Sequence, residues 1–228
     1  MVKKLITLGI AILLLFSVMG STACDSNEIV ETDYFRVELL KKERYAIVLE
    51  LTELGKEQEI LAVPMFVEGL PVKQIGRKIG GMWSGWYYID GNNLKKLYIP
   101  HSVETIATGT EPASGNVIVV NLVDVPSGYF VNMRISTLVH LNYDNNNYVD
   151  QCSNVAFMYN YSDAPNQGYY WIDYVAGEDL YLLPPAPIRE NHSFAGWYLE
   201  PACTTLWNEQ MPQSADETLN LFAKWQEK

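Results

Sequence analysis

Short stretches of alternating hydrophobic and polar residues predict strands rather than helices along most of the chain. Within 35–39, apolar residues alternate with Arg36 and Glu38, and a second apolar run covers 45–51 after the charged segment 41–44. A period of two on both sides of a short polar break predicts an antiparallel hairpin.

A strand that ends at a proline occurs twice in the next part of the chain. The predicted strands 60–63 and 94–99 are followed by Pro64 and Pro100, which are 36 positions apart. Proline cannot donate to a strand ladder, so it closes each strand. Recurrence of one pattern at a fixed spacing indicates a weak internal repeat.

The second copy, Ile-Pro-His-Ser-Val-Glu-Thr-Ile at 99–106, resembles the BspA-like class of leucine-rich repeats of bacterial surface proteins. The segment 63–76 matches the same pattern more loosely. The resemblance implies a rudimentary β solenoid, in which each unit covers its apolar face with a neighbouring unit.

Two further strands are predicted before the C-terminal part. The β-branched run 116–125 is followed by a Pro-Ser-Gly turn, and 138–143 supplies the second strand. The segment 144–150 carries oxygen-bearing side chains at alternate positions but lacks the Gly and the distant Glu of a calcium loop. We therefore predict an Asx-rich turn there and no metal site.

The C-terminal part shows a more specific set of patterns. Strands are predicted at 155–161 and 169–175, and the apolar segment 180–183 runs into a proline-rich stretch. In the last predicted strand, 219–226, the core-facing positions are Leu219, Leu221, Ala223 and Trp225. Together with Trp197, Trp225 is expected to anchor this core.

Three motifs in this part closely resemble the Listeria-Bacteroides repeat, a small extracellular β-grasp-like module also found in internalins. They are Pro-Ile-Arg-Glu at 187–190, Phe-Ala-Gly-Trp-Tyr at 194–198 and Leu-Phe-Ala-Lys-Trp at 221–225. The likeness extends over about Asn154 to Gln226. The family's usual Gly-Tyr is replaced by Asn191-His192, and Asn tolerates a positive φ better than other non-Gly residues. We interpret His192 as a spacer rather than a ligand.

The N-terminal segment has the pattern of an export signal. Lys3 and Lys4 precede an apolar run of 14 residues, 5–18, which is shorter than the roughly 20 that a membrane-spanning helix needs. An uncleaved anchor helix is the alternative. Because Cys24 follows Ser-Thr-Ala, the segment resembles the lipobox of bacterial lipoproteins, although Ser21 stands where that pattern usually has Leu. The resemblance implies a diacylglycerol on Cys24 and display on the outer face of the cytoplasmic membrane.

These patterns predict a mainly β protein with four parts. A signal peptide covers 1–23, the lipidated Cys and a polar tether cover 24–33, a leucine-rich-repeat-like domain covers 34–150, and a β-grasp-like module covers 154–226. If Cys24 is lipidated, Cys152 and Cys203 either form one disulfide or remain two separate buried thiols, and we favour separate thiols.

The charge balance limits the kinds of partner. The chain has 16 Lys and Arg against 27 Asp and Glu, a net charge of −11. This argues against nucleic acid and against an anionic membrane surface as partners, since both attract basic residues. Contact with the membrane is therefore expected through the lipid anchor alone.

An unusual aromatic segment lies between the two repeat copies. Glycines in 80–93 separate four aromatic residues and nearby polar side chains, and a loop of this kind can present flat rings to a glycan. In the alternative interpretation, the tryptophans plug the open end of the repeat stack. The candidate ligand-binding residues are Trp83, Trp86, Tyr87, Tyr88, Asp90 and Asn92.

The sequence contains no known catalytic motif. The three His residues fall in different predicted elements, and the sequence has no HExxH, no GxSxG and no phosphate-binding Gly-rich loop. We predict no enzyme activity, no cofactor and no metal. The expected function is binding or adhesion to a protein or host surface, through the strands near Tyr98 and Val119 or the exposed side of the C-terminal sheet. A glycan-binding module and a passive spacer are the alternatives.

Overall fold

The computed structural model describes residues 27–78, 80, 85–87, 89, 93–106, 117–121, 135–140 and 149–228. Within these residues the protein is mainly β, as the sequence predicts. One short helix, α1, covers Glu53–Lys56, and a single 3₁₀ turn covers Asn166–Gly168. The strands are β1 (Glu28–Glu31), β2 (Phe35–Leu40), β3 (Tyr45–Leu51), β4 (Ile60–Ala62), β5 (Phe66–Val67), β6 (Leu70–Ile75), β7 (Arg77–Lys78), β8 (Trp86–Tyr87), β9 (Lys96–Ile99), β10 (Thr105–Ile106), β11 (Val117–Asn121), β12 (Ile135–His140), β13 (Val149–Cys152), β14 (Val155–Met158), β15 (Tyr169–Asp173), β16 (His192–Tyr198) and β17 (Leu219–Glu227).

The first sheet contains the predicted hairpin. Strands β2 and β3 pair antiparallel, and in their turn the backbone N–H of Arg44 donates to the carbonyl of Leu40 at 2.8 Å. The order β1-β2-β3-β6-β10 continues with parallel pairing from β3 onward, and β5 joins the edge of β6. A two-residue turn links β5 to β6. Both of its residues, Glu68 and Gly69, have positive φ, which matches the right-handed twist of a hairpin.

Strand β1 corrects the expectation of a polar tether over 24–33. Glu28–Glu31 pair antiparallel with β2, so ordered structure starts before Tyr34. The pairing satisfies backbone groups that would otherwise be exposed at the edge of β2. Val30 also packs against the core, whereas Ile29 is 47% exposed, so backbone pairing and one apolar side chain hold this strand.

In the second sheet every neighbouring pair is parallel, in the order β13-β12-β11-β9-β4. Between β4 and β9, Leu61 pairs with Leu97, an offset of 36 residues that equals the spacing of the two prolines. The two copies of the repeat therefore lie side by side, as stacked repeats do. Membership of the leucine-rich-repeat class stays a prediction.

Strand positions in the middle of the chain agree only in part with the sequence patterns. Strand β11 lies within the predicted 116–125. Strand β12 begins at Ile135, before the predicted 138–143, and β13 was not predicted. Most of the Asx-rich segment lies outside the described residues.

The two sheets contribute to one hydrophobic core. The apolar positions of β2 and β3 meet those of β4, β6 and β9, which explains the period of two in the hairpin. Residues buried in this core are Phe35, Val37, Leu39, Ala46, Val48, Leu51, Leu61, Val63, Val67, Val72, Ile75, Ile89, Leu94, Leu97, Ile99 and Val103.

A four-stranded sheet in the order β15-β14-β17-β16 forms the C-terminal part. Strands β14 and β17 pair parallel, and the other two pairs are antiparallel. The predicted strand 155–161 ends early, because Asn160 adopts a φ of 58° and its amide donates to the carbonyls of Pro201 and Ala223. The segment 180–183 does not pair as a strand.

Aromatic side chains dominate the second core. Phe157 is fully buried, with its ring centroid 5.0 Å from that of Trp197 and 5.8 Å from that of Trp207. Trp197 is the predicted anchor, whereas Trp225 is only partly buried and Trp207 was not predicted. Residues of the second sheet complete this core, namely Tyr98, Val120 and Val139. The second sheet and the C-terminal sheet are therefore packed together.

The left-handed backbone conformation of the turn before β16 can be tested by substitution at Asn191. Asn191 has a φ of 56°, as its substitution for Gly predicts, and its carbonyl accepts the backbone N–H of Lys228 at 3.1 Å. We expect Asn191→Val to lower the free energy of unfolding by about 1–2 kcal/mol, because a left-handed conformation costs a β-branched residue roughly that amount. Asn191→Gly should change it by less than about 0.5 kcal/mol. Urea denaturation measures both, and equal losses would contradict the assignment.

Candidate functional site

The structure describes only part of the predicted aromatic site. Strand β8 pairs antiparallel with β7, and the Tyr87 ring packs against Leu40, Ile47 and Leu49 on the second face of the hairpin. Tyr87 is thus engaged in packing and only partly exposed. The following predicted residues lie outside the described part of the chain, or have no described side chain: Cys24, Trp83, Trp86, Tyr88, Asp90 and Asn92.

An ion pair between Arg77 of β7 and Glu38 of β2 connects β7, the partner strand of β8, to the same hairpin. Glu38 was expected at an exposed position of β2, but only 5% of it is accessible. Arg77 reaches Glu38 Oε1 at 2.6 Å, and the amide of Asn27 donates to the same oxygen at 3.0 Å. The hairpin is therefore covered on both faces.

The strand at Tyr98 is not available as a binding face. Tyr98 is 2% exposed, and its ring stacks on Trp171 of β15 with centroids 4.7 Å apart. This corrects the expectation that the strands near Tyr98 present a free surface. Leu97 and Ile99 face the first core, so the strand pleat turns Lys96 and Tyr98 toward the C-terminal sheet.

A buried ion pair lies in this contact between the two sheets. Lys96 Nζ is 2.6 Å from Asp173 Oδ1, and the two side chains are 2% and 0% exposed. Lys96 Nζ also donates to the carbonyls of Leu180 and Tyr174, at 2.8 and 3.2 Å. Three acceptors satisfy the ammonium group, as a buried charge requires.

Further hydrogen bonds hold the Asp173 carboxylate. The Tyr98 hydroxyl donates to Oδ2 at 2.5 Å, and the backbone N–H of Tyr174 donates to Oδ1 at 2.8 Å. The Tyr98 hydroxyl in turn accepts the backbone N–H of Leu182 at 3.2 Å. Burial raises the pKa of Asp173, against the opposing effect of Lys96, and burial raises the pKa of Tyr98 well above its usual value.

Sequence patterns did not reveal this cluster. Lys96 follows another lysine in a strand whose neighbours are apolar, and a lysine in that setting is expected in solvent. Asp173 lies within the predicted strand 169–175, and nothing in that pattern marks it as the partner of a lysine. Only the packing of one sheet on another brings the two residues together.

A second polar contact joins the same two parts of the chain. His101 Nε2 lies 3.0 Å from the hydroxyl of Tyr159. Burial lowers the pKa of His101 and raises the pKa of Tyr159 to about 12. Both groups are therefore neutral near neutral pH, and the contact is an ordinary hydrogen bond.

The outward side of the C-terminal sheet carries an apolar surface, which we call the outer row: Tyr198, Leu206, Phe222 and Lys224. Tyr198 pairs with Phe222 on one side and with Leu206 on the other. Because Leu221 and Ala223 are buried, the pleat places Phe222 on the opposite face. Leu206 is 61% exposed, and Lys224 Nζ lies 4.8 Å from the centroid of the Tyr198 ring.

The side chains that commonly bind metal do not cluster in the described residues. Among the described residues, no three His, Cys, Asp or Glu side chains converge to hold an ion. Cys203 is a free thiol, as the separate-thiol interpretation requires, but it is partly exposed rather than buried. The helices of the described segments are too short to traverse a bilayer.

Comparison with known families supports the C-terminal assignment. Residues 154–224 match the family model of the Listeria-Bacteroides repeat domain, about a third of the chain. The match confirms the resemblance that the motifs predicted, and domains of this family are typically extracellular or surface-exposed. The chain has no significant match among curated proteins or among solved structures.

The contact between the sheets can be tested with two adjacent lysines. Lys96→Met leaves the Asp173 carboxyl buried without its partner, so we expect the free energy of unfolding to fall by about 3–5 kcal/mol. Lys95 forms an exposed ion pair with Glu59, so Lys95→Met should cost less than about 1 kcal/mol. Denaturant titration of both variants gives the comparison. Equal losses of unfolding free energy in the two variants would show that the buried ion pair stabilises the protein no more than the exposed one does.

Proposed function

We propose that this chain is a lipid-anchored bacterial cell-surface protein, a non-catalytic binding or adhesion module for protein or host-surface partners. The match of residues 154–224 to the Listeria-Bacteroides repeat domain carries the proposal, because domains of this type are typically found on the extracellular surface. The signal-like segment 1–23 and the position of Cys24 support an exported, anchored form.

The outer row is the surface that fits a protein partner best in the C-terminal module. Its two aromatic rings and one leucine lie on the face that the second core does not use, and Lys224 adds a positive charge to an otherwise acidic protein. Aromatic residues are enriched in the centres of protein interfaces and lysine is depleted there, so Tyr198 and Phe222 carry this argument. Contact through this face leaves the packing between the sheets unchanged.

The N-terminal half is proposed to be a short leucine-rich-repeat-like solenoid that presents this module. Parallel pairing of β4 with β9 at the repeat offset, followed by β11, β12 and β13 in chain order, supports stacked units. Together with the buried contacts to the C-terminal sheet, this gives a rigid support beyond the lipid anchor.

Glycan binding remains the alternative function. It rests on the composition of the aromatic segment, in which Trp83, Trp86 and Tyr88 stand among glycines. Aromatic faces and amide or carboxylate groups are suited to sugars. A passive spacer is the third possibility, and it requires no ligand at either site.

Membrane anchoring is tested at Cys24. In cells fed a fatty-acid analogue, we expect the wild-type chain to be labelled and to sediment with membranes. Cys24→Ala should abolish the label and release the protein, since stable anchoring needs the acyl chains. Cys203→Ala is the matched control and should behave as wild type. Label that persists in Cys24→Ala would contradict the proposal.

Binding is tested on the outer row. Immobilised full-length chain is incubated with extracts of host-cell surface proteins, and retained partners are identified and titrated. We expect Tyr198→Ser combined with Leu206→Ser to weaken retention by at least about tenfold, the equivalent of one hot-spot residue. Ile188→Ser is the control, because Ile188 is 84% exposed and is not part of the outer row.

Two results would change the conclusion. Equal retention by the outer-row variant and wild type would exclude this face, and no retained partner would favour the spacer. Binding to a glycan array that is lost on Trp86→Ala would instead establish the alternative function.

A further inference from the structure

An amine and a carboxyl group are held in contact in the interior, where water does not separate them. Lys96 Nζ lies 2.6 Å from Asp173 Oδ1, so the carboxyl carbon is one covalent bond beyond the atom that the nitrogen contacts. Well-oriented reactants in one molecule behave as if present at about 10⁵–10⁸ M. Contact of this kind is the geometric requirement for condensation.

The surroundings favour the neutral form of the carboxyl group, which condensation needs. Tyr98 and Trp171 are 2% and 5% exposed, and their stacked rings border the pair. Burial raises the pKa of Asp173, so its neutral acid is more accessible than in water. The proposed reaction begins when the ammonium passes one proton to this carboxylate at the 2.6 Å contact.

We propose that Lys96 and Asp173 condense spontaneously to an intramolecular amide that links the second parallel sheet covalently to the C-terminal sheet. The nitrogen of Lys96 forms a bond to the carboxyl carbon of Asp173, and the bond from that carbon to Oδ2 breaks. Of the three hydrogens on the ammonium, two leave with Oδ2 as one molecule of water, and the third remains on the amide nitrogen. The step needs no oxidant, reductant or activating co-reactant.

Two hydrogen-bond donors are placed for this reaction. The backbone N–H of Tyr174, at 2.8 Å from Oδ1, stabilises the negative charge that develops on this oxygen when nitrogen attacks. The Tyr98 hydroxyl, at 2.5 Å from Oδ2, delivers its proton to the oxygen that leaves and takes back one of the two protons lost by the nitrogen, so Tyr98 is regenerated. Tyr98 is thus the catalytic residue of the condensation, and Tyr174 contributes only its backbone.

The product fits the same site. The single amide N–H keeps the hydrogen bond to the Leu180 carbonyl, which is 2.8 Å from Nζ, and gives up the longer contact to the Tyr174 carbonyl. Oδ1 becomes the amide carbonyl oxygen and retains the Tyr174 N–H. The amide joins β9 to β15 by a covalent bond and would keep the two sheets together under a pulling force.

Tryptic digestion of the full-length chain gives a direct test. If the amide is present, trypsin cannot cleave after Lys96, and segment 96–134 is recovered joined to 135–189, with the loss of one water mass. Without the amide, cleavage after Lys96 releases 97–134 and 135–189 as separate linear peptides. Complete recovery of the separate peptides from folded wild-type protein would show a permanent ion pair and overturn the proposal.

Variants at the two reacting positions and next to them identify the bond. Lys96→Arg and Asp173→Ala should both remove the branched peptide, whereas Lys95→Arg should retain it, because Lys95 contacts the exposed Glu59. A branched peptide that persists in Lys96→Arg would assign the dehydration to other atoms. The wild-type digest decides the question even if either variant fails to fold.

Tyr98→Phe separates catalysis from packing. After refolding from denaturant, the branched peptide should appear about a hundredfold more slowly than in wild type, the usual contribution of a general acid. Circular dichroism should recover at the wild-type rate, since the ring remains. Equal rates of amide formation would remove Tyr98 from the mechanism, and absence of the amide from both proteins would overturn the proposal itself.

Discussion

Burying the charges of Lys96 and Asp173 costs solvation energy that is recovered only when every hydrogen bond around them is made. The bond from Tyr98 to Asp173 and the bond from Lys96 to the Leu180 carbonyl form only when the second sheet and the C-terminal sheet are in contact. The relative placement of the two parts is therefore fixed by chemistry as well as by apolar packing. A small displacement would leave a charge unpaired in the interior.

Apolar packing around this contact explains which surfaces remain free. Tyr98, Val120 and Val139 of the second sheet complete the core built on Phe157, so the inner face of the C-terminal sheet packs against the second sheet. The outer row lies on the opposite face and is the surface left for a partner. One face of the sheet is packed and the other is exposed, which suits the binding role proposed above for this module.

The sequence predicted the parts of the fold that depend on local spacing. The hairpin β2–β3, the strand β17 and the positive φ at Asn191 each follow from a pattern within a few residues. Strand β1 was missed because it has four residues, two of them glutamates, and no alternation of apolar and polar positions, so pairing with β2 outweighs weak propensity. The register between β4 and β9 follows the repeat spacing, so the repeat itself was also visible in the sequence.

Candidate sites were harder to predict than strands, because their residues come from distant parts of the chain. Lys96 had the pattern of a solvated lysine and Tyr98 that of an exposed strand face, yet both are buried. By itself the sequence determined the β class, the repeat spacing and the resemblance of residues 154–224 to the Listeria-Bacteroides repeat domain, since each depends on near neighbours. The export signal stays a prediction. Only tertiary structure decided which strand faces are covered and that Lys96 meets Asp173, because the burial of a side chain depends on the sheet that packs against it.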